Sequence, residues 1–182
     1  MRCTCDATFD GTHFKSPKMI KWIGAKRNAD GHRFNNEVAA KLRTYGWEAK
    51  PNRKVTEVLN TKLSRNYGDV DVLAWNRVSG RVLIIECKDL HSTKTHGEIA
   101  KQLQGFRGHD DCKGKPDKLK KHLERVRIIR SQRNALTKYV GCKEVSTIET
   151  HLVFRNLVPM LFSDDGVFKD ITFTEYNSLG SI

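Results

Sequence analysis

Two acidic side chains and one lysine stand at the ends of two neighbouring apolar segments. The segments read GDVDVLAW, from Gly68 to Trp75, and RVLIIECK, from Arg81 to Lys88. Residues two apart in a strand share a face, so Glu86 and Lys88 should project together. An acid beside an ammonium group at the end of an apolar strand is uncommon on a purely solvated face. The pattern therefore indicates a functional site.

The two segments alternate as strands and predict a β-hairpin, which brings a second acid to the first. If the chain reverses between Val78 and Ser79, Asp71 lies directly opposite Glu86. Asp69 shares the face of Asp71 and would take its place if the turn were longer. We prefer Asp71 because it fits the tighter turn.

Two carboxylates on adjacent strands lie about 5 Å apart and repel each other unless a positive charge sits between them. A divalent metal and Lys88 would supply that charge. Carboxylate oxygens without His or Cys partners suit Mg²⁺, and Mn²⁺ is also compatible. Such a site is suited to hydrolysing a phosphodiester with a metal-activated water, which Lys88 would orient or deprotonate. The simpler alternative is that Glu86 and Lys88 form an ordinary salt bridge.

The surrounding pattern predicts an α/β fold with a mixed central sheet flanked by helices. Residues 1–34 show no clear period and are interpreted as an extension or linker, and residues 35–182 as the domain. The predicted elements are a helix from Asn35 to Gly46, weak strands at 47–50 and 54–59, the hairpin, a helix over 97–106, a long helix over 117–139 and a strand over 150–157.

The composition excludes several other classes of protein. A chain of 182 residues with 38% hydrophobic content is long enough for one ordinary domain. Its apolar runs are too short to span a membrane, and its start lacks the pattern of a secretory leader. Five cysteines without a CxxC pair argue against a disulfide framework and favour a reducing cytoplasm. Cys3, Cys5 and His13 do not have the spacing of a structural zinc site, so free thiols are expected.

Positive charge is concentrated in one part of the chain. The formal net charge is +12, and residues 113–138 carry ten Lys or Arg against two acids. A basic helix is often only a solvated face. Beside a phosphodiester-cleaving site, however, it would bind DNA phosphates without reading sequence. The expected phosphate contacts are Lys120, Lys121, Arg125 and Arg127.

The hairpin resembles the core of the PD-(D/E)xK nuclease superfamily, which has the restriction-endonuclease-like fold. Asp71 matches the aspartate of that family, and Glu86-Cys87-Lys88 matches its ExK triplet. The similarity covers roughly residues 34–106 and is nearest to Mrr-type restriction domains and archaeal-type Holliday junction resolvases. Gly68 departs from relatives that have proline before the first acid.

The resemblance implies a DNA substrate, Mg²⁺ as cofactor and further site residues. Glu37 in RFNNEVAAKL would complete the metal site, although an acid in a first helical turn also needs no metal. Cys87 would contribute its carbonyl oxygen, since its thiol is expected to be buried. Gln102 and Gln104 compete for a supporting glutamine position, with a slight preference for Gln102. For either residue a surface role is as plausible as a role in the site.

The sequence thus predicts a metal-dependent DNA endonuclease domain, with a catalytically inactive DNA-binding module of the same fold as the alternative. An RNA-directed nuclease is less favoured because aromatic residues do not alternate with the basic cluster. Nucleases of this kind commonly act as two copies, and fusion to other domains of a longer chain is equally compatible with the sequence. No membrane partner is expected.

Overall fold

The computed structural model describes residues 16–90, 95–110, 114–162 and 170–182. Cys3, Cys5 and His13 lie outside these residues. The helices are α1 (Pro17–Thr44), α2 (Val55–Leu59), α3 (His96–Gln104), α4 (Lys118–Ser131) and α5 (Arg133–Val140). The strands are β1 (Glu48–Lys54), β2 (Asp69–Asn76), β3 (Arg81–Lys88), β4 (Thr147–Phe154) and β5 (Thr172–Glu175), with 3₁₀ turns at Pro159–Phe162 and Tyr176–Ser181.

The strands form one mixed sheet in the order β1-β2-β3-β4-β5. The first three strands are antiparallel to one another, whereas β4 is parallel to β3 and β5 is parallel to β4. Parallel neighbours need a long crossover, and α3, α4 and α5 supply it between β3 and β4. The prediction of an α/β fold with a mixed sheet flanked by helices is confirmed.

The central strand β3 is buried on both faces, which explains its continuous apolar run. From Val82 to Cys87 every residue is buried. One face packs against α1 through a cluster that includes Leu83, Ile85 and Cys87. The other face carries Val82 and Ile84 and is covered by α2, α4 and α5. Alternation along β3 therefore assigns Glu86 to the α4 face.

The hairpin has the predicted register. Val72 pairs with Ile85 and Leu73 with Ile84, so Asp71 is next in line with Glu86. The turn closes on Gly80, whose φ is +67° and where a Cβ atom would lie 2.6 Å from the carbonyl oxygen of Glu144. A side chain is excluded at this position both by the backbone conformation and by the approach of that neighbouring chain.

Three boundaries differ from the sequence-based expectations. Helix α1 begins at Pro17 rather than Asn35, and so runs through the expected boundary between residues 34 and 35. The weak strand expected over 54–59 is mostly helix α2, while β1 extends to Lys54. The long helix expected over 117–139 is broken at Gln132 into α4 and α5. The first half of α1 escaped detection because it buries no face, and so lacks a helical hydrophobic period.

We expect Ile84→Ala to destabilise the protein by about 2–5 kcal/mol, because it opens a cavity at the centre of the sheet. Ile84 is fully buried, whereas Val78 in the hairpin turn is fully exposed. Urea denaturation followed by circular dichroism measures the change, with Val78→Ala as the matched control. Equal stabilities for the two variants would contradict the assigned core.

Candidate functional site

Asp71, Glu86 and Lys88 come together where β2 begins and β3 ends. Lys88 Nζ donates to Glu86 Oε1 over 2.5 Å. Asp71 Oδ2 accepts a hydrogen bond from the backbone N–H of Cys87 over 2.8 Å. The side chain of Glu86 is only 6% exposed and that of Lys88 22%. The acid, acid and lysine that the sequence predicted to be neighbours are therefore neighbours, in a partly covered position.

Helix α4 adds two side chains to this group. Arg125 Nη1 donates to Glu86 Oε2, and its Nε donates to the carbonyl oxygen of Tyr67 over 3.1 Å. His122 Nδ1 lies 3.7 Å from the same Glu86 oxygen. The ring of His122 is buried, and within the part of the chain that the structure describes neither of its nitrogens has a hydrogen-bond partner. Glu86 is thus approached by one cation from its own strand and one from α4.

The two carboxyl groups have opposite pKa shifts. Burial, reinforced by the negative charge of Glu86, raises the pKa of Asp71 to about 6. Burial also acts to raise the pKa of Glu86, but Lys88 and Arg125 outweigh it and lower that pKa to about 2. Glu86 is the permanent negative charge of the site, whereas Asp71 can take up a proton near neutral pH.

Burial and the neighbouring charges also shift the pKa values of Lys88 and His122. Burial acts to lower the pKa of Lys88, but Glu86 and Asp71 outweigh it, and the pKa is raised. Burial lowers the pKa of His122 to about 4 despite the nearby Glu86. Lys88 is therefore an ammonium group and His122 a neutral imidazole at pH 7. With Asp71 ionised, the two carboxylates are balanced by Lys88 and Arg125.

Glu37 lies in a different environment. It is on α1, which packs against the other face of the sheet, and its carboxylate pairs with Arg155 over 2.7 Å. Arg155 also binds Asp89, the residue after the ExK triplet, over 2.7 Å. Within the described residues, no group of three or more His, Cys, Asp or Glu side chains could hold a metal ion. The role of Glu37 as a third ligand stays a prediction.

The other predicted residues are distributed as follows. Gln102 is half-buried and Gln104 exposed on α3, whose Leu103 packs near Phe106. The thiol of Cys87 faces the α1 side of the sheet, and burial raises its pKa. Only the backbone carbonyl oxygen of Cys87 is therefore left as a candidate metal ligand. Both glutamine assignments stay predictions.

The expected phosphate contacts on α4 do not all point outward. Lys121 and Arg127 are exposed. Lys120 Nζ pairs with Asp110 over 2.5 Å. Arg125 turns inward to Glu86, and its side chain is only 14% exposed. The structure therefore makes Arg125 part of the acidic site rather than of an outward basic surface.

Sequence reasoning did not single out His122, and it did not foresee that Arg125 pairs with Glu86. The role of Arg125 as a phosphate contact stays a prediction. Leu119, His122, Val126 and Ile129 are all buried and recur at helical spacing. A histidine within such an apolar stripe was the available signal that α4 buries a polar group. What the sequence could not supply was the residue that this histidine faces.

Beside Asp71, the regular pairing of β1 with β2 is interrupted at one residue. Asn52 of β1 falls between the pairs Pro51–Val72 and Arg53–Val70, at the level of Asp71, and has a φ of +55°. Its Oδ1 accepts from Asn35 Nδ2 over 2.7 Å and lies 2.7 Å from His32 Nδ1. One amide thus connects α1 to the strand beside Asp71.

The raised pKa of Asp71 predicts a specific pH dependence. A carboxyl group with a higher pKa in the folded state favours folding when it is protonated. That stability is complete below the unfolded-state pKa and is lost as the pH rises through about 6. Asp71→Asn keeps an acceptor for the Cys87 amide but cannot ionise. We expect the free energy of unfolding of this variant, relative to the unsubstituted protein, to increase by about 2 kcal/mol between pH 4 and pH 7. Urea titrations in EDTA measure the difference, and parallel pH profiles would contradict the assigned environment.

The fold and the site define an α/β protein with a partly buried acid–acid–lysine group at one end of a mixed sheet. None of the helices in the described ranges is long and apolar enough to cross a membrane. The family model described as "Anti-phage protein Upx-like" matches residues 2–178. The chain belongs to this family of Upx-like anti-phage proteins. No curated protein and no solved structure matches it.

Proposed function

We propose that the chain is a metal-dependent DNA endonuclease that acts in defence against phage. The observation that carries the proposal is the convergence of Asp71, Glu86 and Lys88 in the hairpin register expected for a PD-(D/E)xK nuclease. The family supports a defence role. This side-chain group would contribute to that defence by cleaving incoming DNA.

The donor chemistry suits Mg²⁺. Asp71 and Glu86 offer hard carboxylate oxygens, and the carbonyl of Cys87 offers one more, which is the small protein ligand set that Mg²⁺ commonly accepts. Bound there, the ion would lower the pKa of a water and offset charge on the phosphate. Lys88, an ammonium group, would hold the attacking water or the phosphate oxygen. The low pKa of Glu86 keeps its carboxylate ionised for this task.

Arg125 opposes the binding of a divalent metal ion at the site. It occupies one oxygen of Glu86, and Lys88 occupies the other. A divalent ion between Asp71 and Glu86 would add positive charge to a group whose charges already balance. Arg125 therefore has to release Glu86, or share it, when the ion binds. A phosphate of the substrate is the natural new partner for the released guanidinium.

The alternative function is a catalytically inactive DNA-binding module of the same fold. The observation that favours it is that both Glu86 oxygens already have cationic partners. The two functions differ in one measurable respect. Both predict salt-dependent binding to DNA, but only the nuclease cuts when Mg²⁺ or Mn²⁺ is added.

We expect Asp71→Asn, Glu86→Gln and Lys88→Ala each to lower Mg²⁺-dependent nicking of supercoiled plasmid by at least about 100-fold. Lys143→Ala, an exposed position just after α5, is the matched control and should nick normally. Circular dichroism confirms that each variant is folded. The same variants should lose protection in a phage-plating assay. Protection that survives in all three folded variants would favour the binding module.

We expect Arg125→Met to strengthen divalent-ion binding about tenfold, because a competing cation worth about 1.4 kcal/mol is removed. Mn²⁺ binding followed by electron paramagnetic resonance measures the affinity without any need for cleavage. Arg127→Met on the exposed side of α4 is the control and should leave the affinity unchanged. Weaker Mn²⁺ binding by a folded Arg125→Met protein would contradict the competition.

A further inference from the structure

The first half of α1 projects beyond the residues with which this helix packs against the sheet. No residue from Pro17 to Arg33 is buried, and burial begins only at Phe34. We call residues 17–31 the α1 arm. At 1.5 Å per residue, it extends about 20 Å beyond the packed part of the helix. Isolated helices of this length are marginal in water, so a segment of this kind is typically completed by a partner.

The α1 arm leaves the domain at the end of the sheet that holds the acidic site. The C-terminal end of α1 lies at the opposite end, where Trp47 contacts the Arg81 guanidinium at the start of β3. The middle of α1 is fixed by Asn35 to Asn52, at the level of Asp71. Two residues later, Glu37 pairs with Arg155, which also binds Asp89 directly after Lys88. Residues N-terminal to these contacts therefore extend past Asp71 and Lys88.

The charge of this segment matches a polyanion. Residues 17–33 contain five Lys or Arg and one acid, so they carry 5 − 1 = +4. The basic residues are Lys18, Lys21, Lys26, Arg27 and Arg33. Arg33 is paired with Asp30, and Lys18 and Lys21 stand near the outer end of the helix. Trp22 is 56% exposed, and the Lys26 ammonium lies 5.5 Å from the centre of its ring.

We propose that the α1 arm binds the phosphate backbone of double-stranded DNA beside the acidic site. This inference rests on the proposed function, since it takes DNA as the substrate of that site. Duplex DNA carries about one negative charge per 1.7 Å, so an arm about 20 Å long passes roughly twelve phosphates. Lys18 and Lys21 supply Coulombic contacts, and Trp22 supplies an apolar contact with the sugars or base edges of a groove.

Two other occupants suit the segment less well. The arm itself carries 4 − 1 = +3, so the arm of a second copy would bring a like charge against it, which opposes self-association. An anionic membrane would attract the same lysines. It would not account for the position of the arm at the end of the sheet that holds Asp71, Glu86 and Lys88. Duplex DNA fits both the charge and the position.

The test compares two double variants that remove equal charge. Lys18→Gln/Lys21→Gln alters the arm. Lys50→Gln/Lys143→Gln is the matched control, because both lysines are exposed, lie outside the basic stretch 113–138 and are away from the acidic site, with Lys50 over the ring of Trp75. Binding to a fluorescein-labelled 30-base-pair duplex is measured by anisotropy in EDTA from 50 to 300 mM salt. We expect the arm variant to bind about tenfold more weakly at low salt, with a salt slope reduced by about two, and the control to match the unsubstituted protein.

Tryptophan fluorescence gives an independent readout. Trp47 and Trp75 are buried at 7% and 2% exposure, so Trp22 dominates the solvent-accessible emission. We expect duplex DNA to quench that emission, and Trp22→Phe to remove the change. Equal DNA binding by the arm and control variants would overturn the proposal, as would a sedimentation velocity dimer lost only in the arm variant. Arm-dependent binding to phosphatidylserine vesicles with no effect on DNA would also overturn it. Failure of the proposed function is a separate result, namely DNA binding without metal-dependent cleavage.

Discussion

The proposed chemistry of this protein depends on one buried negative charge. Glu86 lies at the end of the most buried strand and stays ionised only because Lys88 and Arg125 both donate to it. Removing one partner of such a buried pair typically costs about 3–5 kcal/mol, because the remaining charge has no compensation. The same contacts hold the end of β3, the side chain of Lys88 and helix α4 in one arrangement. The same side chains therefore stabilise the fold and would carry out the proposed chemistry.

The local part of this arrangement could be predicted from the sequence. Alternating residues and a short turn determine the register that sets Asp71 opposite Glu86, since a slip of one residue would expose the apolar face of the hairpin. The contribution of α4 could not be predicted in the same way. Arg125 and Glu86 are separated by 39 positions and meet only after the crossover has folded back onto the sheet. A basic helix read alone looks the same whether its arginine faces solvent or a buried acid.

Glu37 and α1 illustrate the second limit of the sequence. The helix was recognisable from Phe34 onward, where one face is buried, and unrecognisable before it, where the periodic apolar face is missing. The resemblance to PD-(D/E)xK nucleases assigned Glu37 to the acidic site, but its nearest charge is Arg155, and no sequence pattern indicates that these two residues meet. Pairings between distant elements depend on the packing angle of a helix over the sheet, and periodicity carries no information on that angle.

Asn52 has a mechanical consequence. Its left-handed backbone interrupts the regular pairing of β1 with β2 at the level of Asp71, and its amide oxygen binds the helix on the other side of the sheet. A displacement of the middle of that helix would therefore act on the strand that flanks the acid through the short contacts of this oxygen with Asn35 and His32. Pulling or rotating the outer end of the helix would therefore also shift the position of Asp71.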